Sequence, residues 1–161
     1  METPANLRFS IQKGDWIVSM DLTDAYLHVP IHPSSRKFLR FCYQDKVFQF
    51  RVLPFGLSVS PRIFTHVVDA MLTHVRSLGL QIHHYLDDCL LRNQQVEQLG
   101  SQTQCLLCLT TRLDWIPSLE ESELTPTQDF VFIGTHYQTD LGLMFPPEVR
   151  FTLVKSSKQS M

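Results

Sequence analysis

Two adjacent acids, Asp87 and Asp88, interrupt the apolar run QIHHYLDDCLL, and no other feature of the chain restricts its fold as tightly. A carboxylate in a buried strand is costly unless something compensates it. Two in succession between extended segments mark either a hairpin tip, where Asp is at home, or a site that holds a cation. Both readings stand on these residues alone. Divalent metal is the strongest compensation available. Mg²⁺ takes oxygen ligands, is usually held by one or two carboxylates, and leaves its other positions to water and substrate phosphates.

A third acid is available upstream. From Trp16 the polarity alternates with period two: Trp16, Val18, Met20 and Leu22 point one way, and Ile17, Ser19 and Asp21 the other. Asp21 thus leaves the more apolar face of a strand that would pair beside the YLDD hairpin. A strand-end cap is the bland alternative.

The neighbouring segments frame these strands. Thr3 and Pro4 open a short helix that runs to Ile11 and stops at Gly14. Phe38 to Val52 reads as a β-hairpin turning at Gln44 and Asp45, and LPFGLSVSP breaks it. Ser60 and Pro61 cap a helix whose apolar positions, Ile63, Phe64, Val67, Val68, Met71, Leu72 and Val75, keep three-and-four spacing up to Gly79. Asn93 to Leu113 reads as a second helix, and FVFIG and LGLMF as a closing hairpin joined by Thr139 to Gly142. Packing two helices on one face of the resulting sheet leaves its other face free.

Composition excludes several classes. No run approaches the roughly 18 to 20 apolar residues of a membrane span, so no membrane partner is expected and the chain reads as soluble and intracellular, cytoplasmic or nuclear. Cys42, Cys89, Cys105 and Cys108 lack a disulfide framework and read as reduced thiols. The Cys105–Cys108 CxxC falls inside a leucine-rich helical run without a second ligand pair, and is not taken as a zinc site. His28, His32, His74, His83 and His84 read as surface or satisfied residues. The net charge of −2 gives no support to nucleic-acid binding by itself. Charge is unevenly spread, however. Arg36, Lys37, Arg40, Lys46 and Arg51 face the single Asp45 between Ser34 and Arg51, whereas Asp114 to Asp129 holds five acids and no base. The basic stretch is either a solubilised edge hairpin or a polyanion contact.

Three segments carry a family resemblance. SMDLTDAYLHVPI is similar to motif A of reverse transcriptases, LPFGLSVSPRIF to their motif B, and HHYLDDCLL to motif C with its YxDD box. The resemblance covers roughly Gly14 to Gly142, and DLTDAYLHVPIHPSSRKFLRF and SELTPTQDFVFIG are most similar to DIRS-type and gypsy-like retrotransposon polymerases. It implies an α/β (α+β) palm: an antiparallel sheet with helices packed on one face, and partial fingers. Residues 1–145 would form this palm, truncated on its N-terminal side, and 146–161 a tail toward a missing thumb or connection.

The implied activity is RNA-directed DNA polymerisation, with dNTPs, a primer and an RNA or DNA template as partners and two Mg²⁺ or Mn²⁺ ions as cofactors. Asp21, Asp87 and Asp88 would be the catalytic metal ligands, with the Leu22 carbonyl as a further ligand. Tyr85 would pack under the primer terminus. Tyr26 would exclude a 2′-hydroxyl, which argues against a viral RNA replicase; a core tyrosine is the alternative. Phe55 and Gly56 would line the nucleotide pocket, where glycine permits close approach, or Gly56 is simply a turn. Phe132, Ile133 and Gly134 resemble the primer grip, though an ordinary buried hairpin has the same composition. Arg36, Lys37 and Arg40 fall where the family carries basic residues of the fingers, and would meet phosphate or template.

Two departures temper this. About twenty residues precede Asp21, so most of the fingers is expected to be missing, as are the thumb and the ribonuclease H segment. Glu121 or a near neighbour occupies the place of the motif D lysine, and Lys155 and Lys158 come too late to replace it. A glutamate is no cationic acid at neutral pH, so reduced turnover is expected. A relic that keeps the palm and at most binds nucleic acid is the rival.

Overall fold

The computed structural model describes residues 4–146; the Thr3 cap and most of the 146–161 tail lie outside them. After a short helix α1 (Pro4–Ser10) comes β1 (Trp16–Leu22), then two 3₁₀ turns, Ala25–His28 and Pro33–Phe38. A ribbon of β2 (Arg40–Tyr43) and β3 (Lys46–Gln49) precedes α2 (Ser60–Ser77). The acidic pair follows in β4 (Gln81–Tyr85) and β5 (Asp88–Asn93), then α3 (Val96–Arg112), β6 (Pro117–Thr127), β7 (Asp129–Phe132), β8 (Thr135–Gln138) and β9 (Leu143–Phe145). No helix among the described residues is long and apolar enough to cross a membrane.

The central sheet has the order β4-β5-β1-β6, and its pairs are antiparallel. Val18, Met20 and Leu22 of β1 enter a core with Phe64, Val68 and Leu72 of α2 and Leu99 and Leu106 of α3. Both helices therefore cover one face, as the alternation of β1 requires. Within α2 the stripe is narrower than its apolar content suggests: Phe64, Val68, Met71, Leu72 and Val75 are buried, while Ile63 and Val67 flank it and reach solvent.

The opposite face is not free along its length. Ile17 and Leu90 are buried there beneath Leu7 and Ile11 from the N-terminal segment and Phe132 and Tyr137 from the last strands. That face is apolar where Ile17 stands and polar where Asp21 stands, so the cover ends before the aspartates. Three further expectations are corrected. Ser60 does not cap α2; Val59 holds that position, and the buried Ser60 hydroxyl donates to the Pro54 carbonyl at 2.8 Å. FVFIG and LGLMF do not pair with each other. The intervening THYQ forms β8 between them, making a three-stranded meander β7-β8-β9. β6, unforeseen in the acidic stretch, completes the sheet at the free side of β1.

The loop before β1 fastens these layers together. Asp15 is fully buried, accepts the Gln12 N–H at 2.8 Å, and pairs with Arg92 of β5 at 2.9 Å. Its own carbonyl accepts the Thr139 hydroxyl at 2.6 Å, which ties the meander to the sheet. Removing one partner of a buried pair leaves the other uncompensated, at about 3 kcal/mol or more. Asp15→Ala is accordingly expected to lower stability by about 3 kcal/mol in urea unfolding; a loss below about 1 kcal/mol would show that the pair is not the fastening described.

Candidate active site at the open end of the sheet

Register decides which acids meet. Met20 stands opposite Cys89 in the β1–β5 pair, both buried in the helix-side core. One step further along the same register sets Asp21 against Asp88, on the opposite face because side chains alternate. The two carboxyls are close enough to shift each other's titration. Asp87 lies in the two-residue tip between Tyr85 and Asp88, preceded by Leu86 in the left-handed region at φ 56°. Only Leu86 and Asp87 form the tip, so Asp88 is already the first residue of a strand.

The site is electrostatically strained. Burial, the hydrogen bond with Asp88, and the charges of Asp87, Asp88 and Glu121 push the Asp21 carboxyl up to about 7. Asp88, although its side chain reaches solvent, is also raised, by the crowding of protein around it and then by Asp87 and Glu121. The hydrogen bond from Asp21 works against that rise, so the pair shares a proton. Among the described residues, no group of three His, Cys, Asp or Glu side chains converges as a ready-made cage. Two carboxylates in contact and a third at the tip nevertheless suit Mg²⁺ or Mn²⁺, which needs one or two protein oxygens and retains water. A divalent ion would also relieve the repulsion that raises Asp21.

Aromatic side chains wall the site. The Tyr26 ring meets Phe55 edge-on at 4.8 Å and Phe64 at 5.0 Å. Burial, followed by the charge of Asp87, raises its phenol. Tyr26 is therefore both a core tyrosine on one side and a neighbour of the acids on the other. Phe55 is exposed, and Gly56 beside it has φ 82°. A side chain at Gly56 would meet no protein atom within 4 Å, so the backbone conformation, rather than close approach within the chain, requires glycine there. Leu22 ends β1 with its side chain in the core.

The motif C and closing segments also meet. Tyr85 and Ile133 pack on the cluster that contains Phe132. Ile133 and Gly134 form the β7–β8 turn with φ 45° and 65°, an uncommon conformation for a β-branched residue. The basic candidates stand elsewhere. Arg36 and Lys37 lie in the 3₁₀ turn before the ribbon, not in it, and only Arg40 is in β2. Arg36 spends its Nε on the Ile31 carbonyl at 2.9 Å, and Lys37 lies 5.0 Å over the Phe38 ring. The ribbon joins the rest at its base, through the Pro30–Val52 bridge and the Leu53 N–H to the Val29 carbonyl.

The histidines are engaged as ordinary structure. His28 stacks on Trp115, His32 caps the second 3₁₀ turn, and buried His84 meets Asp69 at 2.8 Å. Cys105 and Cys108 are free and exposed on α3. What the residue patterns missed is β6, whose bulged middle carries Glu121, a charge that raises both Asp21 and Asp88. Its one sequence cue is the alternation of half-buried Ser122, Leu124 and Pro126 with exposed Glu121, Glu123 and Thr125.

The raised Asp21 carboxyl sets a pH dependence in the absence of divalent ions. The folded chain keeps a proton up to about pH 7 that an unfolded aspartate releases near 4. Stability should therefore fall as pH rises from about 4 to about 7 and stay low above it. Asp21→Asn should flatten this slope and stabilise the metal-free chain at pH 8 by about 1 to 2 kcal/mol, after allowance for solvent screening. Urea unfolding in EDTA at several pH values measures both, and a slope of opposite sign would refute the assignment.

Known proteins bear on this geometry. The sequence matches the family described as reverse transcriptase (RNA-dependent DNA polymerase) over residues 2–121. Protein P of duck hepatitis B virus (isolate brown Shanghai duck S5) is 27% identical over 159 residues, covering 96% of this chain and 20% of that protein. The genome polyprotein of Petunia vein clearing virus (isolate Shepherd) is 31% identical over 87 residues, 54% of this chain and 4% of that polyprotein. Native prototype foamy virus protease-reverse transcriptase superimposes with a TM-score of 0.73 at 21% identity, over 91% of this chain and 18% of that one. The foamy viral protease-reverse transcriptase dRH in complex with ds DNA gives 0.73 at 22% identity, over 86% and 24%. The chain thus spans about a fifth of the hepatitis virus proteins it matches. With most of its length matched to that family and its fold shared with the foamy virus enzyme, this chain belongs to the reverse transcriptase family.

Proposed function

We propose that the chain is the palm core of an RNA-directed DNA polymerase that adds dNTPs to a primer 3′-hydroxyl on an RNA or DNA template. The observation that supports this reading is the facing of Asp21 and Asp88 at the uncovered end of the β1–β5 pair, with the charge of Asp87 acting on both and on Tyr26. These aspartates would hold two Mg²⁺ or Mn²⁺ ions, with the Leu22 carbonyl as a further ligand. When bound, such ions stabilise the attacking and leaving oxygens of an in-line displacement, standing about 3.5 to 4 Å apart.

The remaining residues position the reactants. Tyr26, braced by Phe55 and Phe64, would fill the space a ribose 2′-hydroxyl needs. Exposed Phe55 and the Gly56 turn would line the nucleotide pocket. Tyr85 would support the primer terminus, and the Phe132–Ile133–Gly134 turn, packed beside it, would hold the primer 3′ end. Arg36, Lys37 and Arg40 would contact template or phosphate. The solved foamy viral relatives in complex with ds DNA and with RNA/DNA hybrid support a nucleic-acid partner.

The finer origin we propose is a retroelement of DIRS or gypsy-like type, on the wording of motif A and of the segment before β7; the named relatives are viral. The domain reading is a palm with partial fingers over residues 1–145 and a tail over 146–161. Ribonuclease H and thumb functions would belong to other segments. Glu121 or a near neighbour, in place of a motif D lysine, supports a second reading, a palm that binds nucleic acid without turnover.

Primer extension on an RNA template with Mg²⁺ or Mn²⁺ separates the two. Asp87→Asn is expected to reduce extension at least about 100-fold; extension undiminished by it would sink the polymerase assignment. No extension by a folded wild-type chain would favour the second reading. In an active chain, Tyr26→Ala should raise ribonucleotide use relative to deoxynucleotides by about tenfold or more, measured with matched rNTP and dNTP titrations. An unchanged ratio would return Tyr26 to a purely structural role.

A further inference from the structure

The row of side chains next to the aspartates holds a polar group inside the helix-side core. Met20, Cys89 and His84 stand abreast on β1, β5 and β4, adjacent to the row of Asp21, Asp88 and Tyr85, and all three are buried. His84 therefore faces α2, and its Nε2 meets the Asp69 carboxylate at 2.8 Å. An ionised carboxylate only accepts, so Nε2 carries the hydrogen. Nδ1 is buried without a hydrogen-bond partner. Asp69 is thus the one polar hold on this ring among the described residues. About two turns further along α2, Arg76 donates from Nε and Nη2 to the Ile82 carbonyl at 3.2 and 3.0 Å, a second tie between the helix and β4. Stability alone does not call for a buried imidazole here, because an apolar pair of the same shape would serve as well or better.

We infer that Asp69 and His84 are positioning residues of the cation site: the pair fixes the β4–β5 tip, and Asp87 with it, against α2. The inference rests on the cation-site reading above. β4 is an edge strand with β5 as its one strand neighbour, so the sheet steadies it from one side only. Asp87 lies three residues past His84, after Leu86 in the left-handed region. Just before that tip the strand is gripped on both faces, by His84 bound to α2 and by Tyr85 packed on the Phe132 cluster. The same helix reaches the other wall of the site, because Phe64, five residues before Asp69, meets the Tyr26 ring at 5.0 Å. α2 thus touches both the tyrosine and the strand that carries the tip, and the Asp69–His84 hydrogen bond sets one against the other. A hydrogen bond fixes a direction where an apolar contact lets groups slide. Groups that orient metal ligands govern how tightly the ion is held, although they do not touch it.

Mn²⁺ binding by the 161-residue chain, read from the EPR signal of free Mn²⁺ without nucleic acid or dNTP, tests this apart from activity. Asp69→Ala removes the acceptor at a half-exposed helix position that suits alanine. It should raise the Mn²⁺ concentration for half-saturation about three- to tenfold. Asp69→Asn loses the same charge but keeps an oxygen that accepts from Nε2, and should stay within about twofold of wild type. Ile17→Val, which thins the core beneath the meander, should weaken the fold yet bind Mn²⁺ as wild type does. Equal half-saturation for Asp69→Ala and wild type would overturn the inference and leave the aspartate site standing. So would a rise in Asp69→Asn or Ile17→Val as large as that in Asp69→Ala. A wild-type chain that binds no Mn²⁺, or binding that Asp87→Asn leaves unchanged, would overturn the site reading and this inference with it.

Discussion

The register between β1 and β5 is the constraint on which the rest depends. Side chains alternate across a sheet, so a slip of one residue would carry the aspartates into the helix-side core and its methionine and cysteine out of it. Both faces guard against that slip. Val18 and Met20 are held by α2 and α3, and Ile17 and Leu90 by the N-terminal helix and the meander. A strand buried on both faces at one end and on a single face at the other has little choice of register. The opposition of Asp21 and Asp88 follows from apolar packing several residues away.

The two ends of this strand pair are opposites in electrostatic design. At one end Asp15 and Arg92 are complementary, buried and hydrogen-bonded to the loop and the meander. At the other, Asp21 and Asp88 are alike in charge and share a proton, with Asp87 and Glu121 adding to the repulsion. A chain selected only for stability would not set two carboxylates against each other with a third at the adjacent tip, because like charges that close together are costly. The cost is tolerable because the covered end anchors the pair. A bound divalent cation, as proposed, would remove that repulsion.

Much of this was legible in the sequence because the signals are local and periodic. The alternation in β1 identified the face of Asp21, the three-and-four spacing identified α2, and the Gln44-Asp45 turn placed the ribbon, where both residues indeed have positive φ. Motif order alone singled out the three aspartates as candidates, and the β1–β5 register sets two of them face to face. What failed was information carried by tertiary pairing. THYQ is too short and too polar to announce itself as β8, yet Tyr137 within it is among the largest fully buried side chains. Ser60 reads as a cap from its type, but its hydroxyl reaches back to Pro54, a contact fixed by the loop's path and not by helix chemistry. Asp15 looks like one more polar loop residue until Arg92 is brought beside it.

β6 is the instructive omission. Pro117, Pro126 and a run of acids are poor strand formers, and such sequence is tolerated at a sheet edge because one side of the strand needs no partner. The same weakness allows the bulge: a central strand could not carry three surplus residues without breaking the ladder on both sides. An acidic edge is commonly read as protection from unwanted pairing. Here the freedom of the edge has a second consequence. It lets the strand bend around Asp21 and present the Ser122 hydroxyl to the Asp21 N–H at 2.9 Å.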